Sequence, residues 1–196
     1  MHCWKAVAYL VALGSMTACG GVEAEGGLGA QKAALTTGTS LGCTFTAAVV
    51  AKPGPFPPIY DVKVTRDASP TCPWGASTVV VGSGTGAVPT AWLVANDLGV
   101  AVSYTFRTGG PSAQQVGLKN LAPDTLAVVR STGLRTNALS TYIYSGDLAI
   151  APDGTTLTVS GTKNAPLVGE TGSGSNYVAT FPDFFTTETA PSIVAF

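Results

Sequence analysis

The sequence predicts an all-β fold: a single β-sandwich domain of short antiparallel strands, with a small β-barrel as the alternative. Apolar residues recur with a period of two, rather than the period of about 3.6 that a helix requires. Turn-forming residues separate the apolar segments, and the chain contains 24 glycines and 13 prolines. No long window carries the apolar stripe of an amphipathic helix. These three observations favour strands throughout the folded part of the chain.

The segment 100–107 is the clearest predicted strand. Its larger apolar residues share one face of an extended chain: Val100, Val102, Tyr104 and Phe106. Small or polar residues fill the other face. The segment 60–65 alternates in the same way, so both segments have the pattern of a strand that packs on a core.

Two turn sequences predict hairpins. Pro-Asp-Gly at 152–154 joins the segments 148–151 and 156–160, and Asn-Asp-Leu-Gly at 96–99 joins 92–94 to the strand that follows. The remaining predicted strands are 44–50, 78–81, 126–130, 141–144 and 177–181.

The first 18 residues have the organisation of an export signal. Lys5 precedes the apolar segment 6–14, which is much shorter than the about 20 residues of a membrane-spanning helix. The run Met-Thr-Ala-Cys-Gly-Gly at 16–21 follows, and it resembles the lipobox of bacterial lipoproteins. The resemblance implies cleavage before Cys19, whose sulfur then carries a diacylglyceryl group, often with an added acyl chain such as palmitate on its amine. Met16 departs from the family pattern, which prefers leucine there.

The resemblance covers only this N-terminal region, and it implies a domain organisation. Residues 1–18 form a lipoprotein signal peptide, 19–40 form the lipidated cysteine and a flexible tether, and 41–196 form the all-β domain. The absence of aspartate after Cys19 favours an outer-membrane location in the bacterial cell envelope. The alternative is an ordinary secretory signal, which would leave Cys19 as a free thiol.

The predicted tether is rich in Gly, Ala, Glu and Thr and contains no aromatic residue. As a flexible coil, residues 20–40 would span about 25 Å root-mean-square. That length would hold the domain clear of the lipid head groups.

Four cysteines occur in the chain. Cys3 lies in the predicted signal peptide and Cys19 carries the predicted lipid, so Cys43 and Cys72 remain as one pair. A redox or metal site usually shows C-x-x-C spacing or added histidines, and this pair has neither. In an oxidising envelope the two are predicted to form a structural disulfide.

Composition excludes several functions. The only histidine is His2, in the predicted signal, so the mature chain has no histidine base or metal ligand and no Ser-His-Asp system. Charged residues make up 11% of the chain and form no basic cluster, which argues against nucleic-acid binding. We expect no cofactor and no metal. Paired carboxylates, with Asp61 and Glu170 as the least easily dismissed, are the remaining catalytic route.

Candidate ligand contacts are few. Trp74 lies in a loop beside Cys72 and is the first choice for an exposed contact, while Tyr142 and Tyr144 share a predicted strand face. The pair at 184–185, Phe-Phe, could contact a ligand or close one end of the sandwich. The S-x-x-K spacing at 160–163 occurs in penicillin-binding enzymes at a helix start, whereas here it leaves a strand, so we interpret it as coincidence.

The sequence therefore predicts a lipid-anchored envelope protein that acts as a non-catalytic binding or structural module. Its partners would be the membrane, through Cys19, and an envelope polymer or protein. The alternative is a small envelope hydrolase that uses paired carboxylates.

Overall fold

The computed structural model describes residues 36–54, 56–108 and 112–196, and in this part the secondary structure consists of strands. Cys19, the predicted signal peptide and most of the predicted tether lie outside the described residues. The strands are β1 (Thr36–Ser40), β2 (Cys43–Lys52), β3 (Ile59–Arg66), β4 (Ser77–Thr85), β5 (Ala91–Asn96), β6 (Gly99–Phe106), β7 (Gln115–Leu121), β8 (Val128–Leu134), β9 (Asp147–Ile150), β10 (Leu157–Thr162), β11 (Glu170–Gly172), β12 (Asn176–Phe181) and β13 (Ser192–Ala195).

The strands form three sheets. The first sheet has the order β1-β2-β3-β4, the middle sheet β5-β6-β7-β8 and the third sheet β11-β13-β12-β10-β9. Neighbouring strands are antiparallel except for β11 and β13, which are parallel. None of the three sheets closes on itself. The predicted all-β fold of antiparallel strands is confirmed. No helix among the described residues is long and apolar enough to cross a membrane.

Strand β6 is buried on both faces, because the middle sheet lies between two cores. Val100 and Val102 pack into one core with side chains of the first sheet, whereas Ala101 packs into another with side chains of the third sheet. Ser103 is also buried, and its Oγ donates a hydrogen bond to the Gly146 carbonyl. The small residues that alternate with the large ones in β6 therefore allow the third sheet to approach.

Each core has its own set of large side chains. The core between the first and middle sheets contains Phe45, Val62, Val64, Leu93, Tyr104, Leu121 and Leu126. The core between the middle and third sheets contains Leu118, Ile143, Leu157, Val159, Tyr177, Phe181 and Phe184. Burial of these apolar side chains is the main favourable contribution to folding.

The N-terminal boundary of the domain differs from the prediction. Residues 36–40, which the sequence placed in the tether, form β1 and pair with β2. Leu41 and Gly42 connect them with φ values of 49° and 77°, as a type I′ turn requires. The strand was missed because Thr36–Ser40 contains only Thr, Gly and Ser, so it has no apolar alternation and forms through pairing with its neighbour.

Both predicted hairpins are confirmed. β5 pairs with β6 across the turn at 97–98, and β9 pairs with β10 across the Pro-Asp-Gly turn. In that second turn, Asp153 Oδ1 accepts hydrogen bonds from the amides of Thr155 and Thr156, each at 2.8 Å. These bonds to the carboxylate lower the pKa of Asp153 below its ordinary value.

Two other predicted strands are placed differently in the structure, and three further observed strands were not predicted. β8 begins at Val128 instead of 126, because Leu126 has a φ of 58° and is not extended. The segment 141–144 makes only isolated bridges to Gln114 and Lys163 and is not a strand. The sequence analysis also missed β7, β11 and β13, which are short or are interrupted by Gly and charged residues.

The predicted disulfide is present. Cys43 at the start of β2 bonds to Cys72 in the loop between β3 and β4, with 4.4 Å between the Cα atoms. Nearby, Thr71 Oγ1 donates a hydrogen bond of 2.7 Å to the Gly42 carbonyl. The bridge thus joins the β1–β2 turn to the β3–β4 loop.

Replacing both cysteines, Cys43→Ala with Cys72→Ala, should lower the free energy of unfolding by about 3–4 kcal/mol, because the unfolded chain loses a closed loop of about 30 residues. Urea unfolding followed by circular dichroism measures this loss. Cys19→Ala serves as the control and should leave the midpoint unchanged. A loss below about 1 kcal/mol for the double variant would contradict the structural role of the bridge.

Candidate functional site

A groove with a volume of about 400 Å³ runs along β7 and β8, and we call it the β7–β8 groove. Ligand pockets typically enclose about 300–1,000 Å³, so it is large enough for a small ligand or for one segment of a polymer. Its walls are formed by Tyr104, Phe106, Gln115, Val116, Gly117, Lys119, Ser131, Thr132, Gly133, Leu134 and Arg135.

The groove exists because the first sheet covers only part of the middle sheet. The core between these sheets includes side chains from β5 and β6, whereas Ser131 and Gly133 of β8 are exposed. Gly133 of β8 pairs directly with Gly117 of β7 and leaves exposed backbone in the floor, whereas Gly117 is buried beneath the Tyr104 ring. The result is a depression beside β6 instead of a packed interface.

Tyr104 forms the inner wall of the groove. Its ring is wedged between the first and middle sheets, where a Cβ atom on Gly82 or Gly117 would lie 2.2 Å or 2.6 Å from the Tyr104 Cζ atom. Only glycine fits at these two positions, since real Cβ contacts are not so short. Burial raises the pKa of the Tyr104 hydroxyl above its ordinary value.

The groove is electropositive. Lys119 and Arg135 line it, no Asp or Glu is among the residues of its walls, and neither cation takes part in an ion pair within the described part of the chain. Lys119 Nζ donates a hydrogen bond to Ser131 Oγ across β7 and β8. Two cations beside hydroxyl, amide and aromatic groups suit a ligand that carries carboxylate or phosphate groups.

Trp74 lies outside the groove. It is half-buried against the core between the first and middle sheets, and the guanidinium carbon of Arg66 lies 5.6 Å from its ring centroid. Arg66 is itself buried and donates hydrogen bonds to the carbonyls of Gly75 and Pro123 at 2.9 Å and 2.7 Å, and to that of Asp124. These contacts account for Trp74 by packing, and the predicted ligand contact at this residue stays a prediction.

The Phe184–Phe185 pair closes one end of the core between the middle and third sheets. Phe184 is buried, and the two rings pack edge to face with centroids 5.4 Å apart. The guanidinium carbon of Arg130 lies 5.3 Å from the Phe184 ring centroid. Of the two interpretations of this pair, the structure supports closure of the sandwich.

Tyr142 and Tyr144 do form a surface pair. Their rings are nearly parallel, with centroids 5.9 Å apart, and Tyr144 is 48% exposed. The guanidinium carbon of Arg107 lies 5.1 Å from the Tyr142 centroid. The shared face was predicted correctly, although the segment that carries it is not a strand.

The two candidate carboxylates are not brought together. Asp61 lies on β3 in the first sheet and forms an ion pair with Lys52 at 3.1 Å, whereas Glu170 lies on β11 in the third sheet. The middle sheet separates the two sheets. Within the residues that the structure describes, no group of three or more His, Cys, Asp or Glu side chains could hold a metal ion.

Glu170 instead forms a buried ion pair with Lys163. Lys163 Nζ lies 3.2 Å from each carboxylate oxygen of Glu170 and donates a further bond of 2.9 Å to the Gly174 carbonyl. Glu170 Oε2 also accepts a bond of 2.7 Å from the Leu167 amide. The Lys163 ammonium is thereby engaged by Glu170 and the Gly174 carbonyl within the segment 163–174, which supports the interpretation of the S-x-x-K spacing as coincidence.

Comparisons with models of known protein families, with curated proteins and with solved structures found no match to this chain. The groove is therefore interpreted from its own geometry. Lys119, Arg135 and the facing glycines were not predicted from the sequence, because they are far apart in the chain and β7 itself was not predicted. The alternating apolar residues Val116 and Leu118 are the signal that could have revealed that strand.

Glu170→Gln should lower the free energy of unfolding by about 3–5 kcal/mol, because it leaves the Lys163 charge buried without a counter-ion. Adding Lys163→Met to that variant removes the charge and should recover about 1–3 kcal/mol of the loss. A double-mutant cycle in urea measures both terms. Additive losses in the cycle would contradict a coupled buried pair.

Proposed function

We propose that this protein is a lipid-anchored protein of the bacterial cell envelope that binds an acidic polymer or protein ligand without converting it. The β7–β8 groove carries the binding part of the proposal. It combines two cations, Lys119 and Arg135, with an aromatic wall and the exposed backbone of Gly133. Such a surface recognises charge and shape, and its walls contain no carboxylate that could act as a general base or a nucleophile.

Two observations support anchoring through Cys19. The run before and after Cys19 resembles a lipobox, and the Cys43–Cys72 disulfide is typical of proteins outside the reducing cytosol. Two or more acyl chains give stable membrane attachment, whereas one chain gives only marginal attachment. The lipid at Cys19 would therefore suffice to hold the domain at an envelope membrane, and the outer membrane is the location we propose.

We propose that the protein is not catalytic because its two candidate carboxylates lie far apart. A glycoside hydrolase of the common kind needs two carboxylates about 5–10 Å apart across one site. Asp61 and Glu170 lie on the two outer sheets, and each is engaged by a lysine. No observation favours the hydrolase alternative over the binding module.

Cells that express the full chain should yield a protein that partitions into the detergent phase of Triton X-114, because its acyl chains enter the micelles. The variant Cys19→Ala should move to the aqueous phase, while Cys43→Ala with Cys72→Ala should stay with the detergent. Equal partitioning of wild type and Cys19→Ala would contradict lipid anchoring.

Lys119→Gln combined with Arg135→Gln should weaken binding to a polymer of uronic acids about 5- to 30-fold, since each exposed charge contact contributes on the order of 0.5–1 kcal/mol. Isothermal titration of the purified protein with polygalacturonate, and with neutral dextran for comparison, measures this effect. The affinity should also fall as salt is raised, because exposed charges are screened.

Lys52→Gln combined with Lys63→Gln is the matched control. It removes two positive charges from the first sheet, away from the β7–β8 groove. This control should bind like the wild type. Equal weakening by both double variants would point to net charge instead of a site, and equal affinity for polygalacturonate and dextran would contradict an acidic ligand.

A further inference from the structure

The loop between β2 and β3 carries the most exposed large apolar side chain of the described residues. Phe56 is 96% exposed. It lies in a loop that also contains Pro53, Pro57 and Pro58, which restrict the backbone around it. Single exposed apolar residues are common on protein surfaces, so the case for a contact at Phe56 rests on the position of its loop relative to the N-terminus.

The base of this loop is firmly held. The Pro58 carbonyl accepts a hydrogen bond of 2.8 Å from the Gly86 amide, which ties the loop to the end of β4. At the other side of the loop, Lys52 forms its ion pair with Asp61 at 3.1 Å. Lys52 is half-exposed, and the Asp61 carboxylate balances its charge.

The loop lies at the same end of the first sheet as the entry of the chain from Cys19, which points to the membrane as its partner. β1 and β2 are antiparallel, and Thr36 pairs with Ala47, so the chain from Cys19 reaches the domain at the end of the first sheet where β2 finishes. The last pair before the loop is Lys52 with Ile59. The β1–β2 turn, with Leu41, lies at the opposite end, where the Leu41 amide donates to Asp97 Oδ1 of the β5–β6 turn.

Distances allow the loop to reach the membrane. From Ala47 to Lys52 the hairpin extends five residues, or about 17 Å, beyond the start of β1. The 17 residues from Cys19 to Thr36, as the flexible coil that their composition predicts, span about 21–25 Å root-mean-square. An anchored domain can therefore place its β2–β3 loop against the bilayer without stretching the tether.

We propose that Phe56 inserts into the interfacial region of the membrane that holds Cys19, so that the domain docks with the β2–β3 loop towards the lipid. This inference rests on the proposed lipid anchor. The acyl chains keep the loop at high effective concentration near the bilayer, so insertion of one aromatic side chain is enough to select an orientation. Docking in this way turns the opposite end of the domain, with Leu41 and Leu98, away from the lipid.

Tryptophan fluorescence quenching by brominated lipids tests the contact. The full-length protein is purified with Phe56→Trp and reconstituted into vesicles of brominated phosphatidylethanolamine and phosphatidylglycerol. Leu98→Trp, on the β5–β6 turn at the far end, is the matched control, since Leu98 is 48% exposed. The wild-type signal of Trp74 and Trp92 is subtracted, and intact mass of the same samples reports acylation.

The expected result is that the added tryptophan of Phe56→Trp shifts to the blue and loses most of its emission in brominated vesicles, while that of Leu98→Trp is unchanged. Acylated protein with no quenching at position 56, or with equal quenching at both positions, would overturn the docking while leaving the anchor intact. Protein without acyl mass would overturn the proposed anchor and the docking together.

Discussion

Burial of β6 on both faces is the constraint on which the rest of the structure depends. The first seven of its eight residues are buried, with the large ones turned to the first sheet and the small ones to the third. A strand in this position must satisfy two cores, so Ala101 and Ser103 are as necessary as Val100 and Val102. The core with the first sheet takes up side chains of β5 and β6 and only Leu121 of β7, so Ser131 and Gly133 of β8 stay exposed. The β7–β8 groove is a direct consequence of that partial coverage.

Local chemistry made part of the fold predictable. Hairpins with Pro-Asp-Gly or Asn-Asp at the turn were found because those residues favour tight turns by themselves, and the Cys43–Cys72 bridge followed from counting. β1 could not be predicted, because Thr36–Ser40 gains its stability from pairing with β2. The residues of the groove could not be predicted either, because Gly117 and Gly133, which lie 16 residues apart in the chain, become neighbours only when β7 and β8 pair in register. Tyr104 was assigned to the correct face, but its contact with Gly82 depends on how two sheets meet.

The buried charges Arg66 and Lys163 are held by carbonyls or by a carboxylate, whereas the groove cations form no ion pair within the described residues. Arg66 is held by backbone carbonyls beneath Trp74, and Lys163 is neutralised by Glu170. Charges buried in this way are costly to disturb, so they hold loops in place and do not serve a ligand. Lys119 and Arg135 lie at the surface with no acidic side chain in the groove walls, which is the arrangement expected of a site for an acidic partner. This contrast distinguishes the buried charges, which hold the fold together, from the open, positively charged β7–β8 groove.

The lipid anchor is the central claim, since both the envelope location and the orientation of the domain depend on it. Intact-mass spectrometry of the detergent-extracted protein, compared with Cys19→Ala, tests it most directly. The account predicts a mature chain that begins at Cys19 and carries added diacylglyceryl and acyl mass, and it predicts that the variant lacks this mass. An unmodified wild-type chain of the same mass in the soluble fraction would contradict the anchor.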